Sequence, residues 1–143
     1  MKRNRGIYII RSNELLQAQS EEYRQYFVGC LKRPQALPHL EENNLEIGSS
    51  LYSVPRADIP HFHKRSSESI YLISGTYRIL LIDTKEEFEL REGDFLVIPP
   101  LTSYASKAVQ RNTRTLFIKT GGNDKVIVNI DKDKEVQTWL NDL

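Results

Sequence analysis

The most informative stretch of this sequence is His61-Phe62-His63-Lys64-Arg65-Ser66-Ser67-Glu68. Side chains alternate along an extended chain, so His61 and His63 project from one face, about 7 Å apart. Glu68 can then come from the neighbouring strand. Two neutral imidazoles and a carboxylate hold a divalent metal while leaving coordination positions open. The alternative is an exposed strand with hydrogen-bonding histidines and a solvated glutamate. The third histidine, His39, lies in a loop and is interpreted as solvated.

Length and charge exclude several classes of protein. The 143 residues suit a single domain, 1–143, that buries its own core. Twenty Lys and Arg residues nearly balance 19 Asp and Glu, so no strong field favours nucleic acid or an anionic membrane. Cys30 is the only cysteine, which excludes an intrachain disulfide, and we expect it in a buried strand. The apolar run after the basic N-terminus is too short for a signal peptide or a membrane span, so we expect a soluble cytoplasmic protein.

Short strand-like runs separated by turn residues fill the chain from residue 45 onward, a pattern typical of a β-sandwich or barrel. The segment Gly121-Gly122-Asn123-Asp124 is interpreted as a hairpin turn, because it lacks the Lys-Ser/Thr pair of a phosphate-binding loop. The barrel core is expected at 45–130. Its strands are predicted at 45–54, 60–64, 68–74, 77–83, 86–90, 95–98, 103–109, 114–119 and 125–130.

The flanking segments, 1–44 and 131–143, are each predicted to carry a short helix. In the first segment, 6–10 and 26–30 favour strands, and a helix begins at about Glu14. In the second, apolar residues recur at i, i+3, i+4 and i+7, which indicates a helix packed on the outside of the sheet. Those apolar residues are Val136, Trp139, Leu140 and Leu143.

Together these residues resemble the cupin superfamily, whose members are small jelly-roll barrels. The first cupin motif is matched in type and spacing by His61, His63, Glu68 and Gly75. The second motif is matched by Gly93 and Pro99, and the likeness covers roughly residues 45–119. The resemblance implies an all-β fold, a jelly-roll β-barrel with a short N-terminal and a short C-terminal helix.

Three positions depart from the cupin pattern. Pro55 replaces the leading glycine of the first motif, and Leu101 replaces the glycine that follows proline in the second. Tyr104 stands where many cupins place a third metal-binding histidine. A neutral phenol is a poor ligand, although a nearby dication lowers its pKa. Tyr104 is therefore a phenolate ligand, a donor or acid beside the metal, or a core residue of a barrel that has lost its metal.

Strand alternation predicts which side chains line the barrel. If Glu68 points inward, Ile70 and Leu72 do so as well, and Tyr71 and Ile73 face outward. The interior would then be a mostly apolar cup with a polar cluster at its base.

Substrate contacts are predicted for Tyr104 and Ser106, which share an inward face, and for Arg56 near the mouth of the barrel. A pocket of this kind orients a small molecule with few polar contacts. One of the nearby cations Arg56, Lys64 and Arg65 can pair with a carboxylate or phosphate of the ligand, and Arg56 is assigned this role.

The leading functional hypothesis is an enzyme in which His61, His63 and Glu68 hold Fe, Mn, Zn or Ni. The ion would polarise a small polar substrate, and His61, His63 and Tyr104 form the catalytic set. Dioxygenation and isomerisation both remain open. One alternative is a metal-free enzyme similar to the cupin sugar isomerases and epimerases, in which the histidine pair moves protons. The other is a non-catalytic cupin that binds a small molecule.

The resemblance also implies a homodimer in which an N-terminal strand, 6–10 or 26–30, joins the sheet of the partner. No helix-turn-helix pattern is evident, so no nucleic-acid partner is expected.

Overall fold

Antiparallel strands make up most of the described chain. The computed structural model describes residues 2–4 by their backbone and residues 6–143 in full. Among these residues, neither helix has the length and apolar run that a bilayer-spanning helix requires. The elements in chain order are β1 Lys2–Asn4, β2 Ile7–Ile9, α1 Ser12–Glu21, β3 Arg24–Val28, β4 Leu45–Tyr52, β5 Arg56–Ala57, β6 His61–His63, β7 Glu68–Ser74, β8 Thr76–Leu81, β9 Glu87–Arg91, β10 Phe95–Ile98, β11 Tyr104–Ala108, β12 Thr113–Thr120, β13 Lys125–Ile127 and α2 Lys134–Asn141.

Two antiparallel sheets form the walls of a jelly-roll barrel. The first has the strand order β10-β7-β12-β4-β3, and the second has the order β13-β6-β11-β8-β9, with β5 paired to β11. Strands β1 and β2 pair only with each other. The predicted all-β jelly roll with two short helices is confirmed.

The core lies between the two sheets because their inward residues alternate with solvent-facing ones. On β7, Ile70 and Leu72 are buried, whereas Tyr71 and Ile73 are about 40% exposed, as the alternation predicts. Buried side chains between the two sheets pack against one another in one core cluster. Its buried members are Tyr52, Ile70, Leu72, Tyr77, Ile79, Leu90, Ile98, Tyr104 and Ala108.

Helix α2 packs on the outside of the second sheet, as its apolar spacing predicts. Val136 is fully buried against Leu80, Ile82 and Ala105. Asp133 caps the helix by accepting a hydrogen bond from the backbone N–H of Val136 at 3.1 Å. Because the helix ends at Asn141, the inclusion of Leu143 in its apolar face is wrong, and that side chain is 53% exposed.

The N-terminal segment contributes an edge strand to the first sheet. The strand predicted at 26–30 is β3, which begins earlier and pairs with β4 of its own chain. Cys30 lies beyond the end of β3 and is only half-buried, so its predicted place in a buried strand is wrong. Helix α1 packs against this edge through the side chain of Gln19, whose amide donates to the backbone carbonyl of Ser49.

The nine predicted barrel strands are all present, and their ends differ from the observed ones by three residues or fewer. The two-residue strand β5 was not predicted, and neither was β1. Both are too short to produce a periodic pattern.

Candidate metal centre

Four polar side chains converge inside the barrel where three strands begin. His61 and His63 project from β6, Glu68 begins β7 and Tyr104 begins β11. Tyr104 and His61 are register partners, which places the phenol beside the imidazole. Both histidines and Tyr104 are buried, and the side chain of Glu68 is 16% exposed. One ligand atom each from His61, His63 and Glu68 lie within 4.8 Å of one another.

The distances within this group are those of direct polar contacts. His63 Nε2 lies 2.8 Å from Glu68 Oε2, and His61 Nε2 lies 3.8 Å from the same oxygen. The Tyr104 hydroxyl donates to Glu68 Oε2 at 2.7 Å and lies 2.9 Å from His61 Nε2. The structure therefore brings together all four residues that the two motifs single out.

The His61 ring is oriented by its other nitrogen. His61 Nδ1 lies 2.8 Å from the backbone carbonyl oxygen of Ile59, an acceptor that requires the proton on Nδ1. The lone pair of Nε2 then points to the centre of the group, which is the arrangement of a metal-binding histidine.

The His63 ring is oriented differently. Its Nδ1 is buried and lies 3.3 Å from Asp124 Oδ1, although no atom of the described residues completes a hydrogen bond to this nitrogen. His63 Nε2 faces the same centre as that of His61.

The residues present fit a divalent transition metal. Around an ion with bonds of 2.0–2.2 Å, neighbouring ligand atoms lie about 3.0–3.5 Å apart. The observed separations of Glu68 Oε2 from the two histidine Nε2 atoms, 2.8 and 3.8 Å, bracket that range. Two nitrogens and one carboxylate oxygen suit Fe, Mn, Zn and Ni alike.

Hydrogen bonding sets the charge state of the acidic members. Burial acts to raise the pKa of Glu68, but its polar interactions with His61, His63 and Tyr104 outweigh burial and hold that pKa below the usual range. Burial and the neighbouring Glu68 carboxylate raise the pKa of Tyr104 well above its ordinary value. Without an ion, Tyr104 is therefore a neutral phenol whose hydroxyl donates to the Glu68 carboxylate.

A second buried polar cluster surrounds Asp58, and it includes the predicted substrate residue Ser106. Ser106 lies two residues beyond Tyr104 on the same inward face, about 7 Å along the strand. Its hydroxyl donates to Asp58 Oδ2 at 3.2 Å and lies 2.8 Å from the Tyr77 hydroxyl. Asp58 also accepts from Tyr52, so Ser106 is part of a satisfied network rather than a free contact.

Arg56 lies apart from the four-residue group. Its guanidinium stacks 3.8 Å from the ring centroid of Tyr23, and its register partner is Ala108. Ala108 is four residues beyond Tyr104 on β11, which corresponds to about 13 Å of strand. Of the predicted substrate residues, only Tyr104 touches the histidines and Glu68.

Sequence reasoning missed Asp58 and Asp124, the carboxylates of the two polar networks. Asp124 belongs to the turn between β12 and β13, and its contact with His63 depends on the pairing of β13 with β6. The available signal was an acidic residue directly before a short strand. Asp58 precedes β6 in a mostly apolar run, which is a weak signal without the barrel geometry.

The departure at Leu101 has a clear structural consequence. Leu101 has φ = 63°, the left-handed conformation that glycine adopts without strain. Its N–H donates to the backbone carbonyl of His63 at 2.7 Å, so this turn supports the position of His63. The four residues that converge in the barrel, here named the metal group, are His61, His63, Glu68 and Tyr104.

Two surface depressions of about 540 and 590 Å³ lie against α2, and neither includes a member of the metal group. The convergent nitrogen and oxygen donors lie in the barrel and not in these depressions.

Comparisons with known proteins agree with this architecture. Residues 52–114 match the family model described as the cupin domain. One similar structure is KdgF from Halomonas sp., with 18% identity, coverage of 68% of this chain and 76% of that chain, and a TM-score of 0.52. Another is an uncharacterized conserved protein with a double-stranded β-helix domain from Klebsiella pneumoniae subsp. pneumoniae MGH 78578, with 15% identity, coverage of 63% and 79%, and a TM-score of 0.56.

A third similar structure is the DMSP lyase DddQ from Ruegeria pomeroyi DSS-3, with 15% identity, coverage of 73% of this chain and 50% of that chain, and a TM-score of 0.57. A comparison with curated proteins gave no significant match. At these identities the structural likeness establishes the fold alone.

Proposed function

This chain belongs to the cupin superfamily, and from that premise we propose that it is a metal-dependent enzyme acting on a small polar metabolite. The observation that carries the proposal is the convergence of His61, His63 and Glu68 ligand atoms within 4.8 Å inside the barrel. Buried groups of this kind are functional-site candidates, because burying ionisable side chains together is costly unless they act on a common partner.

In this proposal the two histidines and Glu68 hold the ion, and Tyr104 acts beside it. A bound Fe, Mn, Zn or Ni would supply Lewis-acid polarisation of a carbonyl or hydroxyl group, or redox chemistry in the case of iron or manganese. Tyr104 offers a protonated phenol 2.7 Å from Glu68 and 2.9 Å from His61, so it can donate a proton or a hydrogen bond to a substrate atom in the same place.

The proposal includes both oxygenation and isomerisation. One of the structures with a similar fold is named as a lyase, so elimination is a third reaction to assay. The limited exposure of the group favours a small substrate. Arg56 and Ser106 remain proposed substrate contacts, although neither touches the histidines or Glu68.

A metal-free alternative is favoured by one observation, the Tyr104 hydroxyl at the position of the fourth cupin ligand. Hydrogen bonds connect this hydroxyl to Glu68 and His61, and such a chain can move protons without an ion. This alternative predicts turnover that chelators do not affect.

Metal content of the protein purified without an affinity tag tests the proposal. We expect about one equivalent of transition metal in the wild type and in the matched control His39→Ala, whose histidine lies in a loop. His61→Ala and His63→Ala should each lose the metal while the barrel stays folded by circular dichroism. Normal metal content in both variants would contradict the proposal. One bound equivalent with no turnover across the substrate panel would instead favour a binding protein.

The homodimer and the cytoplasmic location remain predictions from the sequence. Of the two predicted donor strands, β3 is already part of the first barrel sheet. Strand β2, which covers most of 6–10, pairs with β1 outside both barrel sheets, so we propose β2 as the exchanged strand. A light-scattering mass near 16.6 kDa would contradict the dimer.

A further inference from the structure

We propose that Asp124 is a positioning residue for the metal centre, a buried carboxylate that holds the His63 imidazole with Nε2 directed at the ion. This inference rests on the proposed metal-binding function and deepens it. Asp124 enters from the turn that joins β12 to β13, outside both motifs that define the metal group.

The first argument is the state of the His63 ring. Among the described residues no atom completes a hydrogen bond to its buried Nδ1, and leaving such an atom unpaired costs about 1–3 kcal/mol. Asp124 Oδ1 lies 3.3 Å from this nitrogen. In a metal-bound ring, an Nδ1–H directed at a carboxylate leaves the lone pair on Nε2, the atom that lies 2.8 Å from Glu68 Oε2.

The second argument is the asymmetry of the Asp124 carboxylate. Oδ2 accepts hydrogen bonds from the backbone N–H groups of Arg65 and Ser66, both at 2.7 Å, and from the Ser66 hydroxyl at 2.8 Å. These three donors satisfy Oδ2 and fix the plane of the carboxylate. Oδ1 is left to face His63 Nδ1 and the more distant ammonium group of Lys119 at 3.4 Å.

The third argument is the charge around Asp124. Lys119 is buried and forms its closer ion pair with Glu46, at 2.7 Å. Its ammonium group is therefore shared between the carboxylates of Glu46 and Asp124 and does not neutralise Asp124 alone. A carboxylate behind a ligating histidine makes that ligand more basic and strengthens its bond to a cation.

The fourth argument is the close approach of the turn at 121–124 to Ser66. Gly121 has φ = 93°, and a Cβ atom there would lie 2.7 Å from the Ser66 hydroxyl oxygen. Only glycine lets the turn come near enough for Asp124 to reach Ser66 and His63.

Zinc titration of the purified chain tests the proposal, with calorimetry as the readout. Asp124→Asn keeps the shape of the side chain and one acceptor oxygen but removes its charge. We expect zinc affinity to fall about 10- to 100-fold in this variant. The matched control is Asp94→Asn, since Asp94 also accepts a backbone N–H bond in a turn, from Arg91, but lies away from the metal group. The control should bind zinc as the wild type does.

A spectroscopic readout separates positioning from a general loosening of the turn. In the zinc-loaded wild type, ¹⁵N-edited NMR should show slowly exchanging Nδ1–H protons on both His61 and His63. In Asp124→Asn only the His63 signal should shift or exchange faster, because the partner of His61 is the unchanged carbonyl of Ile59. If Asp124→Asn does not fold, the wild-type spectrum still decides, since an unprotonated His63 Nδ1 would overturn the proposal.

The outcomes distinguish this inference from the function it rests on. Wild-type protein that binds no zinc or other transition metal would overturn the proposed function. Equal affinities of the wild type and Asp124→Asn, or equal shifts of both histidine signals, would overturn only the role of Asp124.

Discussion

Replacing Asp58 with asparagine tests how much stability the second buried polar cluster contributes. The side chain of Asp58 is 7% exposed and accepts hydrogen bonds from Tyr52 and Tyr77 at 2.7 Å and from Tyr23 at 3.0 Å. Arg24 pairs with it at 3.3 Å. An asparagine keeps one acceptor oxygen and turns an NH₂ group towards hydroxyl donors, so at least one hydroxyl loses its partner.

The expected loss follows from these contacts. A hydrogen bond to a charged group contributes about 1.5–3 kcal/mol, and breaking a buried ion pair costs about 3–5 kcal/mol. Because the side chain of Arg24 is 29% exposed, water can solvate its charge when the partner is lost. The lower part of the range of about 3–5 kcal/mol therefore applies. We expect Asp58→Asn to lose about 3–4 kcal/mol of unfolding free energy, equivalent to a Tm lowered by about 10 °C.

The pH dependence of this loss provides an independent check. Burial acts to raise the pKa of Asp58, but Arg24 and the tyrosine hydroxyls outweigh it and lower that pKa. A lowered folded-state pKa gives stability that is present above the unfolded pKa of about 3.9 and is lost as pH falls through the folded value. The difference between the wild type and Asp58→Asn should therefore be constant near neutral pH and shrink below about pH 4.

Urea unfolding followed by far-UV circular dichroism, at pH 7 and at pH 3, measures both effects. The reasoning fails if Asp58→Asn loses less than about 1 kcal/mol at pH 7, or if the loss is as large at pH 3 as at pH 7.

Three further predictions concern single positions. Leu101→Gly should raise the unfolding free energy by about 1 kcal/mol, because Leu101 has φ = 63°; an unchanged or lowered Tm would contradict this. Tyr104→Phe should keep its metal but lower turnover about 10²- to 10⁴-fold, and unchanged turnover would reduce Tyr104 to a packing residue. Lys107→Met should lose about 1–3 kcal/mol, because the Lys107 ammonium donates to the backbone carbonyls of Trp139 and Asp142 at 2.6 and 2.8 Å. Hydrogen exchange should then quicken in α2 first, and uniform exchange across the barrel would argue against this role.

The barrel and its metal group could be predicted from the sequence because both depend on local periodicity. The two-residue spacing of His61 and His63 determines their common face, and the alternation along 68–74 determines which side chains enter the core. The predicted strand ends were less accurate than the predicted strands. Hydrogen bonding to neighbouring strands determines where a strand ends, and the sequence pattern reflects that bonding only indirectly.

The supporting residues could not be predicted in the same way. Asp124 is 61 residues beyond His63 in the chain, and only the pairing of β13 with β6 brings them together. Arg56 shows the opposite error. It is close to His61 in sequence, but its register partner Ala108 lies four residues, about 13 Å, along β11 from Tyr104, the partner of His61. Closeness in sequence was a poor guide to contact in both cases.

The hydrogen bonding inside the barrel could not be predicted from alternation, which indicates only that side chains point inward. Tyr52, Tyr77 and Tyr104 are buried in the core, and their hydroxyls find hydrogen-bond partners within it.

Anomalous diffraction from crystals of the untagged protein grown with a transition metal tests the central claim most directly. We predict one strong peak bonded by His61 Nε2, His63 Nε2 and a Glu68 carboxylate oxygen inside the barrel. A metal bound only elsewhere on the chain, or no peak between these three side chains at saturating metal, would contradict the assignment.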